Sequence, residues 1–333
     1  MEAKRRIEIM DTTLRDGEQT SGVSFLPSEK LQIAKLLLEE LKVDRIEVAS
    51  ARVSEGELEG VRKITQWASQ KGYLDRVEVL GFVDTPASVD WIVESGARVM
   101  NLLTKGSLNH LIHQLKKTPE QHFEDIRQSI AYAQQKGVSV NVYLEDWSNG
   151  MRNSRDYTLS LIEFLQSQPV KRVMLPDTLG LLAPEEVKSY FQDIKKKFPE
   201  LHFDFHAHND YDLSVANVME AILYGAAGIH TTINGLGERA GNAPLESVVA
   251  VIEDFTDFEI GIQEQKIFRV SKLVEQFSGQ HIPANKPVVG ENVFTQTAGI
   301  HADGDSKKNL YFNDLMPERF GRQRKYALGK TSG

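Results

Sequence analysis

The sequence predicts an α/β fold of the (β/α)8 TIM-barrel type with a C-terminal helical and extended arm. Short β-rich runs alternate with helical periodicity eight times before residue 256. Eight such units in about 250 residues have the size and order of a closed barrel of parallel strands. Beyond this point one helical stretch, 262–280, precedes a segment rich in Gly, Asn and Asp. We therefore expect a catalytic barrel over residues 1–255 and an arm or subdomain over 256–333.

The eight predicted units each consist of a strand and the helix that follows it. The first four pair residues 5–11 with 27–42, 44–50 with 55–72, 76–82 with 86–96, and 98–104 with 119–137. The last four pair 138–145 with 154–168, 171–177 with 183–198, 201–208 with 213–226, and 227–235 with 243–255. The competing fold is an open doubly wound sheet. It is disfavoured because the glycine fingerprint G-x-G-x-x-G does not follow the first strand.

Composition excludes several classes of partner and site. The net charge of −8 offers no basic field for nucleic acid or anionic lipid, so small molecules are the expected partners. The chain has no cysteine, which excludes disulfides, thiolate nucleophiles and cysteine-rich zinc sites. No window approaches the roughly 18 apolar residues of a membrane span. The start "MEAKRRIEIMD" has no apolar signal core, so we expect a cytoplasmic protein.

Polar residues gather where the predicted strands end. In a barrel of this kind the active site lies at the C-terminal ends of the strands. The polar residues at these ends are Asp11, Arg15 and Asp16 for strand 1, Glu145 for strand 5, Asp177 and Thr178 for strand 6, His206 and His208 for strand 7, and Asn234, Glu238, Arg239 and Asn242 for strand 8. This end of the barrel is the candidate active site.

The stretch "HFDFHAHND" predicts a metal site. Residues i and i+2 of a strand face the same side, so His206 and His208 present two imidazoles to one point, with His202 further back on that face. Asp16 is the candidate carboxylate, because strand 1 lies two strands from strand 7 in a closed barrel. The amide oxygen of Asn242 is a further candidate ligand. Fewer than four protein ligands leave positions for water or substrate, which is typical of catalytic sites.

Simpler interpretations stay open for these residues. The two histidines can be interior residues satisfied by hydrogen bonds. Asp16 and Glu145 can be ion-pair partners of Arg15 and Arg239. The glycines of "NGLGERAGN" can form only a tight turn, and the sequence gives no ground for a phosphate loop.

Three motifs resemble one enzyme superfamily. "DTTLRDGEQ" with Lys30, "HAHND" and "NGLGERAGNAPLE" resemble the DRE-TIM metallolyases, and within them the Claisen-condensing synthases of 2-isopropylmalate, citramalate and homocitrate. The resemblance spans essentially the whole chain. It implies a barrel that binds a divalent metal (Mn²⁺, Mg²⁺ or Zn²⁺), a 2-oxo acid and the co-substrate acetyl-CoA. The expected products are a 2-hydroxy dicarboxylic acid and free CoA.

The resemblance also implies roles for matched residues. Asp16, His206 and His208 would bind the metal, with Asn242 in or near its shell. Arg15 would stabilise the alkoxide that forms when the acetyl enolate attacks the keto carbon. In addition, Glu145 would help to hold this arrangement together, and Thr178 would bind the oxo-acid carboxylate.

The arm supplies candidates for the general base. "GIHADGDSKKNLYFN" resembles the segment that in this family reaches across a homodimer into the neighbouring barrel. His301, Asp303 and Tyr311 would then act in trans, and one of them, or a water that they hold, would take the proton from the acetyl methyl group. The alternative is an arm that only buries a dimer interface, which these polar side chains suit poorly.

Three bulky residues predict which oxo acid is used. Leu80 is placed at the end of strand 3, Leu103 at the end of strand 4 and Tyr143 near the end of strand 5, where they would crowd the substrate pocket. A crowded pocket favours pyruvate, so the chain resembles citramalate synthases. The alternative is a 2-isopropylmalate synthase with room for 2-oxoisovalerate, and these residues can also be ordinary barrel core.

Two departures from the family pattern are expected to matter. The family usually has glycine two residues after "HAHND", where this chain has Asp212. Family members also continue beyond the point where "ALGKTSG" ends this sequence, so we expect a truncated chain whose feedback inhibition cannot be read.

A lyase of the hydroxymethylglutaryl-CoA type is disfavoured, because that group uses a catalytic cysteine. A non-enzymatic metal-storing barrel would leave Arg15, Glu145 and Thr178 without a role.

Overall fold

The eight predicted strands form one closed parallel barrel. The computed structural model describes residues 4–308 and 310–327. The strands are β1 Glu8–Asp11, β2 Arg45–Ser50, β3 Val77–Phe82, β4 Val99–Lys105, β5 Ser139–Glu145, β6 Val173–Asp177, β7 Phe203–Ala207 and β8 Gly228–Thr231. Each strand pairs in parallel with the next along the chain, and β1 pairs with β8 to close the barrel. The predicted fold class is confirmed.

Helices follow the strands in the predicted order. They are α1 Pro27–Lys35, α2 Glu55–Lys71, α3 Ala87–Glu94, α4 Leu108–His110, α5 Pro119–Gln135, α6 Trp147–Asn153, α7 Arg155–Gln166, α8 Pro184–Lys197, α9 Ser214–Tyr224, α10 Leu245–Phe255, α11 Ile267–Ser278 and α12 Gly299–Lys308. The main differences from expectation are the π-helical turn Leu36–Leu41 that extends α1 and the additional helix α6. The sequence did not predict α6 because it follows β5 after a single residue.

Side chains of each strand alternate between two different cores. In β2, Ile46 and Val48 belong to the large apolar core between barrel and helices. Arg45 and Glu47 alternate with them and point into the barrel, where both are buried. The strand is therefore buried on both faces, but only its outer face is apolar.

The barrel interior is unusually polar. Bulky branched side chains usually fill such barrels, whereas the apolar cluster here is small: Met10, Leu80, Tyr143 and Met174 with Leu103 against it. Below this cluster Arg45 donates to Asp204 over 2.6 Å and to Glu78 over 3.1 Å. Charges buried at this depth are stable only when paired, so this layer requires its partners in place.

The segment after α10 lies against the barrel. It contains α11, α12 and the two-residue strands Thr295–Gln296 (β9) and Lys325–Tyr326 (β10). Arg319 pairs with Asp254 at the end of α10 (2.6 Å) and with Glu264 (2.7 Å). Among the described residues no helix is long and apolar enough to cross a membrane. The boundary at residues 255 and 256 stays a prediction.

Candidate active site

Three buried side chains converge at the C-terminal end of the barrel. Nε2 of His206 lies 3.4 Å from Nε2 of His208 and 3.4 Å from Oδ2 of Asp16. One ligand atom of each residue lies within 4.8 Å of the others. This is the cluster that the sequence predicts as metal ligands.

The loop after β1 and the loop after β8 lock together beneath this cluster. Asn242 donates from Nδ2 to Oδ1 of Asp16 (3.0 Å) and to the carbonyl of Leu236 (2.9 Å). Thr20 accepts a hydrogen bond from the backbone of Gly237 over 2.7 Å. Gly237 has a φ of +156°, and a Cβ there would lie 2.2 Å from Nδ2 of Asn242. This glycine is therefore required for close approach to Asn242.

The cluster fits a divalent cation. Two ligand atoms at about 2.1 Å from one ion lie roughly 3.0–3.4 Å apart, which matches the spacing of the two imidazole nitrogens. Burial lowers the pKa of His208 to about 4, so it is a neutral imidazole of the kind that binds metals. Burial would raise the pKa of Asp16, but Arg15 and the histidines hold it well below its usual range. The amide oxygen of Asn242 is buried without a hydrogen-bond partner and is available as a further ligand.

Arg15 lies beside the cluster of Asp16, His206 and His208 and has N–H groups that make no hydrogen bond within the described residues. Its Nε donates to Glu47, Nη1 donates to Asp16 over 2.6 Å, and Nη2 lies 3.4 Å from the hydroxyl of Tyr143. A guanidinium carries five N–H groups, so these three bonds leave two. The side chain is 9% exposed, and Arg15 lines the cavity. It presents a fixed positive charge to anything bound there.

Thr178 is oriented to donate a hydrogen bond. Its hydroxyl oxygen accepts from the backbone N–H of Asp146 over 2.9 Å. Asp146 has a φ of +63° and is itself held by the hydroxyl of Ser107 over 2.6 Å. This bond fixes the position of the hydroxyl oxygen, and the hydroxyl can still donate its proton to a ligand in the cavity that it lines.

The simpler interpretation, in which Asp16 and Glu145 are ion-pair partners of Arg15 and Arg239, agrees with the structure only for Asp16. Asp16 does pair with Arg15. Glu145 pairs with Lys105, however, and Arg239 pairs with Asp210 over 2.8 Å. Lys105 precedes the loop after β4, and its register partner on β5 is Glu145, which brings the two charges together.

The cavity above the cluster has a volume of about 230 Å³. Leu80, Leu103 and Tyr143 are among the residues that line it, and their contact with the oxo acid stays a prediction. The expectations that Leu80 ends β3 and that Leu103 ends β4 were wrong, because β3 continues to Phe82 and β4 continues to Lys105. Phe82 lines the cavity as well. Sequence reasoning also missed Gln19, Ser50 and Pro176, although Ser50 ends β2 and its position at a strand end was a usable signal.

Other predicted residues lie outside the cavity lining. His202 binds Asp204 over 2.8 Å at the opposite end of β7 and is not in the metal cluster. His301 and Tyr311 lie on the arm with their rings 4.2 Å apart, and Asp303 pairs with Lys307 over 2.6 Å. Their action in trans remains a prediction.

Lys30, part of the first motif, anchors the loop after β1. Its ammonium group is buried between Glu18 and Glu57, each at 2.6 Å, and lies 3.3 Å from the carbonyl of Leu14. It does not line the cavity. Its contacts hold the backbone that carries Arg15 and indicate a structural role.

The left-handed conformation of Asp212 explains the departure from the family pattern. Its φ is +59°, a region that glycine adopts at no steric cost and that aspartate tolerates better than most residues. The amide of Asn209 donates to Oδ1 of Asp212 over 3.1 Å and helps to hold this turn.

The chain is similar to known proteins over most of its length. A family model described as HMGL-like matches residues 6–274. The chain is 37% identical over 328 residues to an (R)-citramalate synthase of Methanocaldococcus jannaschii, covering 98% of this chain and 65% of the relative. It is 34% identical over 330 residues to a 2-isopropylmalate synthase of Sulfurisphaera tokodaii, covering 99% and 83% of the two chains.

Solved structures support the fold. The crystal structure of hydroxymethylglutaryl-CoA lyase from Pseudomonas aeruginosa has a TM-score of 0.70 at 17% identity, covering 85% of this chain and 96% of that one. The chain spans about 63 to 65% of the length of the citramalate synthases that it matches.

Proposed function

Because this chain belongs to the HMGL-like family, we propose that it catalyses a metal-dependent condensation of acetyl-CoA with a 2-oxo acid. With pyruvate as the oxo acid, the reaction consumes one water and yields citramalate and free CoA, as in an (R)-citramalate synthase of amino-acid biosynthesis. The observation that carries the proposal is the buried cluster of Asp16, His206 and His208 beneath a cavity lined by Arg15 and Thr178.

The metal site suits this chemistry. A divalent ion such as Mn²⁺, Mg²⁺ or Zn²⁺, held by Asp16, His206 and His208, would polarise the keto group of the oxo acid. Arg15 keeps two N–H groups for the keto oxygen as it becomes negatively charged. Its bonds to Glu47 and Asp16 hold the guanidinium in place before substrate arrives, so little reorganisation is needed during reaction.

Thr178 and Glu145 have separate roles in the proposal. The hydroxyl group of Thr178, whose oxygen is held by the backbone N–H of Asp146, donates a hydrogen bond to the oxo-acid carboxylate. The Glu145 carboxylate lines the cavity and is neutralised by Lys105. This pairing reduces its repulsion of an anionic substrate while leaving it beside the reacting groups.

The cavity favours a small oxo acid. Leu80, Leu103 and Tyr143 lie on the neighbouring strands β3, β4 and β5 and pack together in the apolar cluster inside the barrel. These bulky side chains are expected to limit the space for a branched oxo-acid side chain more than for the methyl group of pyruvate. Pyruvate is therefore the substrate that we propose.

The proposed enzyme is a homodimer located in the cytoplasm. His301, Asp303 or Tyr311 of one protomer would reach the cavity of its partner and take part in removing a proton from the acetyl methyl group. Both histidine and tyrosine rings lie on an arm whose Ile300 and Leu310 are 70% and 66% exposed. Exposed apolar side chains of this size suit a surface that a second copy covers.

A direct assay tests the proposal. We would measure release of free CoA from acetyl-CoA in the presence of Mn²⁺ or Mg²⁺, with pyruvate and 2-oxoisovalerate at matched concentrations. Faster release with pyruvate supports the proposal, and product analysis should identify citramalate. Absence of metal-dependent CoA release with every 2-oxo acid would contradict the reaction class.

The second candidate is a 2-isopropylmalate synthase. It is favoured by the relative from Sulfurisphaera tokodaii, of which the chain covers 83% at 34% identity. The chemistry and the roles of the metal ligands would be the same. Faster CoA release with 2-oxoisovalerate in the assay above would select this candidate.

A further inference from the structure

A chain of hydrogen bonds runs from the cavity into the barrel interior. The hydroxyl of Tyr143 lies 3.0 Å from Nδ1 of His230, and Nε2 of His230 lies 3.0 Å from Oδ2 of Asp204. Arg45 donates to the same carboxylate oxygen over 2.6 Å. His230 and Asp204 are buried and do not line the cavity. Tyr143 is the one member of this chain that does.

The direction of these hydrogen bonds follows from Asp204. Its pair with Arg45 keeps the carboxylate ionised, so Asp204 can only accept. Nε2 of His230 must therefore carry the proton that it donates to Asp204. In the neutral tautomer Nδ1 is then an acceptor, and Tyr143 donates its hydroxyl proton to it.

The backbone is adapted to this arrangement. Gly228 on β8 lies so close to Asp204 that a Cβ there would be 2.1 Å from Oδ1. Oδ1 of Asp204 also lies 2.8 Å from Nε2 of His202. Asp204 is thus held from several sides and provides a rigid base for His230.

We propose that His230 is a positioning residue that holds Tyr143 as a fixed wall of the oxo-acid cavity. The proposal rests on the function proposed above and deepens it. Tyr143 packs edge-on against His206 and His230, with ring centroids 6.1 Å and 5.5 Å apart. These contacts constrain the ring plane, and the bond to Nδ1 constrains the position of its hydroxyl. Without that bond the tyrosine can shift away from Leu80 and Leu103, which enlarges the cavity.

Two substitutions separate this role from simple support of Asp204. In His230→Asn the side-chain oxygen takes the place of Nδ1 and can accept from Tyr143, but the amide is too short to replace Nε2. In His230→Gln the terminal amide reaches the place of Nε2 and can donate to Asp204, but the acceptor for Tyr143 is lost. The two variants therefore each keep one of the two hydrogen bonds.

The readout is the selectivity for the oxo-acid side chain. Calorimetry on the Mn²⁺-loaded protein, without acetyl-CoA, gives the dissociation constants of pyruvate and 2-oxoisovalerate. We expect the ratio favouring pyruvate to fall about tenfold in His230→Gln, the scale of one methylene group in an apolar pocket. His230→Asn should keep the ratio of the unmodified protein. Equal ratios in both variants, or a larger change in His230→Asn, would overturn the proposal.

Tyr143→Phe tests the same bond without disturbing His230 and Asp204. It removes only the hydroxyl, and with it the 3.4 Å contact to Nη2 of Arg15, which both His230 variants retain. Its ratio should fall as in His230→Gln, even if both His230 variants fail to fold. A ratio unchanged from that of the unmodified protein would refute the positioning role.

Failure of this inference can be distinguished from failure of the proposed function. Oxo-acid binding with the expected ratios but without CoA release would contradict the function alone. CoA release with an unchanged ratio in His230→Gln and Tyr143→Phe would contradict the inference alone. If neither pyruvate nor 2-oxoisovalerate binds, both the proposed function and the inference about His230 are overturned.

Discussion

Leu103→Ala is expected to enlarge the oxo-acid cavity and change which substrate is preferred. Leu103 lines the cavity and packs against the interior cluster that contains Leu80 and Tyr143. The substitution removes three carbons from the cavity wall. 2-Oxoisovalerate has two carbons more than pyruvate, so the space released is sufficient for its branched side chain.

The size of the effect follows from the carbons involved. One methylene group in an apolar pocket changes discrimination by roughly 10- to 200-fold. We therefore expect kcat/KM for 2-oxoisovalerate relative to pyruvate to rise by about 100-fold in Leu103→Ala. Because Leu103 is only half-buried, the cost in unfolding free energy should be about 2 kcal/mol, at the low end for leucine truncation.

A neighbouring leucine provides a matched control. Leu102 precedes Leu103 on β4 but is fully buried in the core between barrel and helices. Leu102→Ala should destabilise the fold at least as much without opening the cavity. The assay is CoA release with each oxo acid, together with urea unfolding of both variants. A similar ratio of kcat/KM values in Leu103→Ala and Leu102→Ala would refute the assignment of Leu103 to the substrate wall.

Three further substitutions test other parts of the structure. His208→Ala should abolish metal-dependent CoA release while the circular dichroism spectrum remains unchanged. The control His281→Ala, at a site whose side chain is 97% exposed, should leave both the activity and the spectrum unchanged. Full activity in His208→Ala would exclude His208 as a required ligand. Burial raises the pKa of Asp11 to about 7 from 3.8. The contribution of this group to the free energy of unfolding is therefore fully present below pH 3.8 and is lost as the pH rises to about 7; it is on the order of 4 kcal/mol at most. Asp11→Asn should lessen this loss in urea unfolding between pH 5 and pH 8, and an unchanged pH dependence would contradict a buried, protonated Asp11. Asp212→Ala should unfold about 1 kcal/mol more easily than Asp212→Gly, because its φ of +59° penalises a Cβ, and equal stability would argue against that backbone strain.

Local sequence patterns were sufficient to predict the barrel and the convergence of Asp16, His206 and His208. Alternation of period two marks each strand and a period near 3.6 marks each helix, and both depend only on residues close in the chain. The rule that parallel strands end at the same face then brings Asp16, His206 and His208 together. The spacing of the two histidines on β7 made their common direction predictable without knowledge of the rest of the fold.

Patterns within the strands also contained a signal that was not used. Charged residues alternate with apolar ones in β2, β3 and β7, which indicates a barrel with a polar interior rather than an apolar one. Arg45, Glu78 and Asp204 occupy such positions. Their burial was predictable from the alternation, but their pairing was not.

The partners of buried polar groups were decided only by the tertiary structure. Tyr143 and His230 are 87 residues apart, and Asp204 and Arg45 are 159 residues apart. Which side chains meet across the barrel depends on the tilt and stagger of its strands, which no single strand sequence specifies. By itself, therefore, the sequence determined the order of the elements and the ligand types at the strand ends. The pairing of β4 with β5 decided that Glu145 meets Lys105, and closure of the barrel decided that His230 on β8 lies 3.0 Å from Tyr143 on β5, because the strand sequences alone do not specify register or closure.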